Sequence, residues 1–285
     1  MTISTTSTLQ APTQVLSGEG INYAYRHFGS QSGVPLLCLQ HFTGTLDLWD
    51  PLVFDALSAK RSILLFANPG VGRSTGAPPD NVASMVQHAI SLLGALKITQ
   101  VDILGFSLGG FLGQYIALNQ PSLVRKLILV GTGPEGGEGT SMGRPDLLNV
   151  FFDQKMRMPE KIKRLFFSQS AAGQKAAEAY LSRISKRTDD HDTAASGEVA
   201  VNQLKAMAVW ENSKGAGFSD LYRITQPVLV LNGNNDILIP TANSFTLNAH
   251  LPNAALAIYP DSGHGSLYQY PITFISHVEE FLSRD

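Results

Sequence analysis

Ser107 and the residues around it are where the types and spacing of side chains point to chemistry. The run Gly105-Phe106-Ser107-Leu108-Gly109 is a G-x-S-x-G pattern, followed by a further glycine, Gly110. A short branched-apolar run, Val101 to Phe106, leads into it, and a helix-like apolar stretch, Leu108 to Asn119, leaves it. A serine at the tip of a tight strand-to-helix turn brings the residues two before and two after it together. Glycine at both places removes the clash and leaves the hydroxyl exposed. A serine hydroxyl is a poor nucleophile until a base takes its proton. The base is best a histidine whose other ring nitrogen is held by a carboxylate. Asp236 follows the run Val228 to Asn232 as Gly233-Asn-Asn-Asp236, and His264 follows Leu256 to Tyr259 within Gly263-His264-Gly265. Both stand just beyond the carboxyl end of a strand-like run, and such ends share one edge of a parallel sheet.

Each of these residues has a plainer role available. Ser107 could be an ordinary turn serine, His264 a loop histidine, and Asp236 the N-cap of a helix starting near Pro240. Asp261 is close to His264 in sequence, but the Pro260-Asp261 pair reads as a turn. His27, His88, His191, His250 and His277 have no comparable context. Gly131-Thr-Gly133-Pro-Glu-Gly136 fits G-x-G-x-x-G, yet Pro134 lacks an amide donor, Glu135 repels a pyrophosphate, and no ribose-binding acid follows. Asn68-Pro-Gly-Val-Gly72-Arg-Ser74 lacks the lysine of a phosphate-binding loop.

The elements that must position these residues alternate along the chain. Thr13 to Gly18 and Ile21 to Phe28, around Gly18-Glu19-Gly20, read as a hairpin at the sheet edge. Val34 to Gln40, Ser62 to Ala67, Val101 to Phe106, Leu127 to Gly131, Pro227 to Asn232 and Ala255 to Tyr259 read as buried strands. Asp47 to Lys60, Asn81 to Leu96, Leu108 to Asn119, Thr241 to His250 and Pro271 to Arg284 read as helices. The implied fold is α/β, a mostly parallel eight-stranded sheet flanked by helices. Between Gly133 and Tyr222 no core strand is expected. Helical stretches lie instead at Pro145 to Phe152, Pro159 to Phe167, Ala171 to Lys186 and Glu198 to Glu211. The expected organisation is a core of residues 1–133 and 222–285 with an inserted helical cap, 134–221. Glycine-rich hinges bound the cap, Gly131 to Gly139 at its start and Lys214 to Gly217 near its end.

Composition sets the limits on function. The chain has 285 residues, a hydrophobic content of 44% and a formal net charge of −2, enough apolar residues for a large core and no basic excess for nucleic acid. The apolar runs are of strand length, so no membrane partner is expected. The first ten residues lack the basic start and apolar centre of a signal peptide and read as a frayed polar tail. The single cysteine, Cys38, excludes an internal disulfide and lies in an apolar run. A reducing, cytoplasmic setting is the expectation.

The elbow around Ser107, the G-x-x-D after the seventh strand and the late G-H-G resemble the α/β-hydrolase superfamily in order and spacing, over nearly the whole chain. The resemblance implies Ser107 as nucleophile, His264 as general base and then acid, and Asp236 as the residue that orients His264. Glu135, after the sixth strand, is the alternative acid, because some members place it there. The oxyanion hole would take one amide from Leu108, at a helix N-terminus. The second would come from Phe42 in Gln40-His41-Phe42-Thr43-Gly44, where relatives usually read His-Gly-x-Pro-Gly. His41 thus replaces a glycine and is expected to pack behind the turn. Phe106, Trp49 and Trp210 are expected substrate contacts, with Phe151, Phe152, Met156, Met158, Phe166, Phe167 and Met207 as further cap candidates.

The implied activity is cofactor-independent cleavage of a small, moderately hydrophobic ester, thioester or lactone, with neither cofactor nor metal and a small-molecule substrate as the partner. Cofactor-free perhydrolase or haloperoxidase chemistry and carbon–carbon bond hydrolysis use the same three residues. A small-molecule receptor with residual turnover is the alternative from another class.

Overall fold

The computed structural model describes residues 7–18, 20–138, 144–213 and 218–284. The first six residues of the expected polar tail, the tip residue Glu19, and the hinge residues Gly139 and Lys214 to Gly217 lie outside them. Eight strands form one sheet in the order β1-β2-β4-β3-β5-β6-β7-β8. They are β1 (Gln14–Gly18), β2 (Ile21–Gly29), β3 (Leu36–Leu39), β4 (Ser62–Phe66), β5 (Val101–Phe106), β6 (Val124–Val130), β7 (Val228–Gly233) and β8 (Ala254–Tyr259). The β1–β2 and β2–β4 pairs are antiparallel, and every other pair is parallel.

The apolar runs become strands because both faces of the sheet are covered, and their alternate residues divide between two cores. Leu36, Cys38, Ile63, Leu65, Leu104, Phe106, Ile128 and Val130 enter one core, beside α1 (Pro51–Ser58) and α10 (Pro271–Ser283). Leu37, Leu39, Leu64, Phe66, Ile103, Leu127 and Leu129 enter the other, beside α2 (Val82–Ala95) and α3 (Leu108–Asn119). Each fully buried aliphatic side chain contributes about 1.5–3 kcal/mol, so this double layer fixes the register of the strands.

That register sets the site. Leu39 pairs with Gly105, Phe106 with Val130, Val130 with Leu231 and Gly233 with Tyr259. The carboxyl ends of β3, β5, β6, β7 and β8 are therefore level, and the turns that follow them open on one edge.

Between β6 and β7 the described residues form helices and no strand: α4 (Pro145–Phe152), α5 (Met158–Phe166), α6 (Ala171–Ile184) and α7 (Gly197–Asn212). Their ends differ from the sequence expectation by two residues at most. Polar anchors fasten them to the sheet layer. Arg183 of α6 donates to both oxygens of Asp50, at 2.8 and 2.6 Å, while Asp50 also caps α1 through Leu52 N. Tyr180 donates to Leu48 O at 2.8 Å. Asp50 is fully buried. Removing Arg183 alone would strand that carboxylate, which costs more than the pair itself contributes.

Candidate active site

The elbow is strained in the way its position demands. Ser107 sits at φ 56° and ψ −119°, between β5 and the first turn of α3. A non-glycine residue there costs about 1–3 kcal/mol, held by the structure around it. Ser107 N donates to Val130 O at 2.9 Å, and Ser107 O accepts from Thr132 Oγ1 at 2.9 Å and from Gly110 N at 2.8 Å. The flanking glycines answer to close approach. A Cβ on Gly105 would stand 2.7 Å from Gly110 Cα, and one on Gly109 would overlap the carbonyl of Leu39 at the end of β3.

Asp236 and His264 meet as expected from their places after β7 and β8. His264 Nδ1 lies 2.8 Å from Asp236 Oδ2. The other carboxylate oxygen, Oδ1, accepts from Leu238 N at 2.9 Å and Ile239 N at 3.0 Å. One carboxylate therefore caps the turn after β7 with one oxygen and holds the imidazole with the other, so the two readings of Asp236 coexist. An ionised carboxylate only accepts, which puts the proton of neutral His264 on Nδ1 and leaves Nε2 a bare acceptor. The glycines beside His264 are explained by the helical insert lying on them. A Cβ on Gly263 would be 2.8 Å from Phe166 O, one on Gly265 would be 3.0 Å from Phe166 Cβ, and Gly265 N donates to Phe166 O at 2.7 Å.

Ser107, His264, His41, Phe42, Leu238 and Phe166 share the wall of a small cavity of about 20 Å³. Beyond His41 and Phe42 a larger cavity of about 550 Å³ opens between the sheet edge and the helical insert. Leu108 N belongs to the first turn of α3 and has no carbonyl within the helix to bind. Phe42 N donates to no protein acceptor among the described residues. The turn that carries Phe42 is braced on both sides. His41 N donates to Gln40 Oε1 at 3.0 Å, Gly44 N to His41 O at 2.9 Å, and Thr43 N to Gln203 Oε1 of α7 at 2.6 Å.

Other expectations fall elsewhere. Trp49 packs on Phe54 in the core, with ring centroids 4.7 Å apart, and lines neither cavity beside Ser107. Trp210 stacks on Phe111 and borders a separate cavity of about 210 Å³, where Glu135 also lies. Phe106 is fully buried and backs the His264 ring at 5.0 Å without reaching the cavity wall. Of the further aromatic and methionine candidates, Met207 lines the small cavity, Phe152 and Met158 the large one, and Phe151 and Phe166 both. Asp261 accepts from Ser170 Oγ at 2.5 Å and is not the partner of His264.

Sequence reasoning missed Gln203, whose amide holds the turn from 160 residues away. It also placed His41 behind the turn, whereas the ring both packs and lines the two cavities. His41 stands edge-on to Phe106 and Phe166, at 5.3 and 4.9 Å. Burial pushes the His41 pKa down from 6.5 to about 3, His264 adding to the depression and the hydrogen bond with the Phe42 carbonyl opposing it. Between those values the unfolded chain binds a proton that the folded chain does not. Stability is therefore lost as pH falls from about 6.5 towards 3, by up to about 1.4 kcal/mol per pH unit. Urea unfolding of His41→Phe between about pH 4 and 6.5 should show a shallower acid loss than the parent; parallel curves would contradict a buried neutral His41.

This fold, with its elbow and its Asp–His pair at one sheet edge, defines a class. Residues 34–271 match the family model for the alpha/beta hydrolase fold, and the chain belongs to that family. By that membership it is a hydrolase. Among solved structures it is similar to an alpha/beta hydrolase fold protein from Chitinophaga pinensis, at 42% identity and a TM-score of 0.93, covering 98% of this chain and 100% of that one. A 2-hydroxymuconate semialdehyde hydrolase from a Pseudomonas species is 26% identical over 263 residues, 89% of this chain and 88% of that protein. A pimeloyl-[acyl-carrier protein] methyl ester esterase from Nitrosomonas europaea is 24% identical over 250 residues, 86% of this chain and 94% of that protein. Among the described residues no helix is long and apolar enough to cross a membrane.

Proposed function

We propose that the chain is a serine hydrolase that cleaves a small carboxylic ester, thioester or lactone through Ser107, His264 and Asp236, beneath a helical cap formed by residues 134–221. The observation that carries this reading is the 2.8 Å bond from His264 Nδ1 to Asp236 Oδ2, made by a histidine that shares a cavity wall with Ser107. It leaves the Nε2 lone pair free to take the serine proton.

Ser107 Oγ attacks the carbonyl carbon as its proton passes to His264 Nε2. The carbonyl oxygen becomes an oxyanion between the Phe42 and Leu108 amides, both fixed before the charge develops. Collapse breaks the bond to the leaving alcohol, or thiol, which takes the proton from His264. Water then attacks the acyl-enzyme, again giving its proton to His264. The second collapse releases the acid and returns the proton to Ser107.

Stopped-flow hydrolysis of p-nitrophenyl esters tests this. The expected result is a burst of one p-nitrophenol per chain, followed by a slower steady rate. A burst that persists in Ser107→Ala would overturn the mechanism. The Pseudomonas relative supports a second reading, carbon–carbon bond hydrolysis by the same residues. Turnover of 2-hydroxymuconate semialdehyde faster than of any ester would favour it.

A further inference from the structure

His41 and Phe42, with Phe151 and Phe166, line both the small cavity at Ser107 and the 550 Å³ cavity beside it, and so stand between the two. His41 is 7% exposed. Its Nδ1 lies 2.8 Å from Phe42 O, and a carbonyl oxygen only accepts, so Nδ1 carries the proton. A neutral imidazole has one N–H, which leaves Nε2 with a lone pair and nothing to donate. Burial keeps a second proton off until pH is close to 3, so this form holds wherever the enzyme would work. Nε2 is buried and has no hydrogen-bond partner. Buried polar atoms are rarely left so, and the same residue's backbone N–H and C=O are both paired within the turn.

We propose that His41 Nε2 is a specificity-determining acceptor, taking a hydrogen bond from an O–H or N–H that the substrate carries on the carbon next to the scissile carbonyl. The substrate class is then a 2-hydroxy or 2-acylamino ester whose apolar arm runs into the large cavity. This rests on the serine-hydrolase reading, since the position of the carbonyl is set by Ser107 and the Phe42 amide. His41 immediately precedes Phe42, and its ring shares the wall of the cavity that holds Ser107 and His264. A lone pair there would repel an oxyanion, which excludes His41 as a third oxyanion donor. It rewards a neutral donor instead. Phe152, Met158, Ile162 and Leu165 give one side of the larger cavity an apolar wall suited to the arm, while Asp47, Lys161 and Asp192 line it elsewhere. A substrate without the donor would leave Nε2 unpartnered, the situation in which binding sites discriminate most strongly.

The test compares p-nitrophenyl octanoate with its 2-hydroxy and 2-methoxy derivatives, each rate divided by that of spontaneous hydrolysis. The methoxy group matches the hydroxyl inductively but cannot donate. The parent should prefer the 2-hydroxy ester over both others by at least about tenfold in kcat/KM. In His41→Phe, which keeps an aromatic ring between Phe106 and Phe166, the preference should fall to near unity. In His41→Gln, whose amide oxygen can accept, part of it should return. The matched methyl ketones, which cannot be cleaved, give the same comparison as protection of Ser107 from a fluorophosphonate. A parent that treats hydroxy and methoxy forms alike, or a preference that survives in His41→Phe, overturns the inference. Labelling of Ser107 separates the two claims. A labelled parent without the preference defeats only the role of His41, and an unlabelled parent defeats the serine-hydrolase reading and this inference with it.

Discussion

Replacing Ser107 with alanine should lower kcat by about a millionfold while leaving the fold intact. Removal of the nucleophile from a Ser-His-Asp site costs about that much, because the remaining groups act on the same step. About 10³–10⁴ of acceleration over water should survive from the oxyanion donors and from binding. The fold should tolerate the change, since the Ser107 bonds in the elbow run through its backbone N and O. Its φ of 56° also means that alanine inherits the strain already present and adds little. A single-turnover assay on an ester that the parent cleaves gives the loss, and unchanged thermal unfolding excludes a structural cause. A loss below about a hundredfold would assign the chemistry to another group.

The second large effect concerns Asp236. In Asp236→Asn one amide atom must serve the Leu238 and Ile239 N–H groups, which lie 2.9 and 3.0 Å from Oδ1. Those two donors require the amide oxygen, which turns the NH2 group towards His264 Nδ1. His264 must then accept at Nδ1 and carry its proton on Nε2, where the lone pair is needed. The expected result is a fall in kcat of about 10⁴ near neutral pH, with the unfolding midpoint little changed because the capping bonds persist. Stopped-flow acylation rates measure it. A fall of less than tenfold would mean that the His264 tautomer is not set by Asp236.

Much of this arrangement was legible in the sequence, for physical reasons that differ from one element to the next. β5 and α3 were expected at their observed bounds, because an apolar run, a glycine-flanked serine and a second apolar run state strand, turn and helix locally. β6 begins at Val124, three residues before the expected Leu127. Arg125 and Lys126 hid that start, and Arg125 sits in the strand because it pairs with the fully buried Asp102 on β5. The expected helix from Asp47 to Lys60 is a short 3-10 turn, Leu46–Leu48, followed by α1 from Pro51. Asp50-Pro51 is a cap-and-start pair that announced the break.

The candidate site was legible to the extent that its chemistry is carried by short motifs. Ser107, Asp236 and His264 each stand at a strand end, and the sheet register levels those ends. The cavity wall was not legible in the same way. Trp49 and Trp210 are large and apolar, which announces burial but not the direction in which a ring points. Gln203 reaches Thr43 across 160 residues, and nothing in its own helix announces that partner. His41 showed that a glycine position had been filled, but the vacant nitrogen appears only once the Phe42 carbonyl is seen to claim the other.

The central claim is an activated Ser107, and the most direct measurement is intact-mass analysis after incubation with a fluorophosphonate, for the parent and for Ser107→Ala. One adduct on the folded parent and none on the variant is the predicted result. No adduct on the parent, or an adduct that persists in Ser107→Ala, would contradict it.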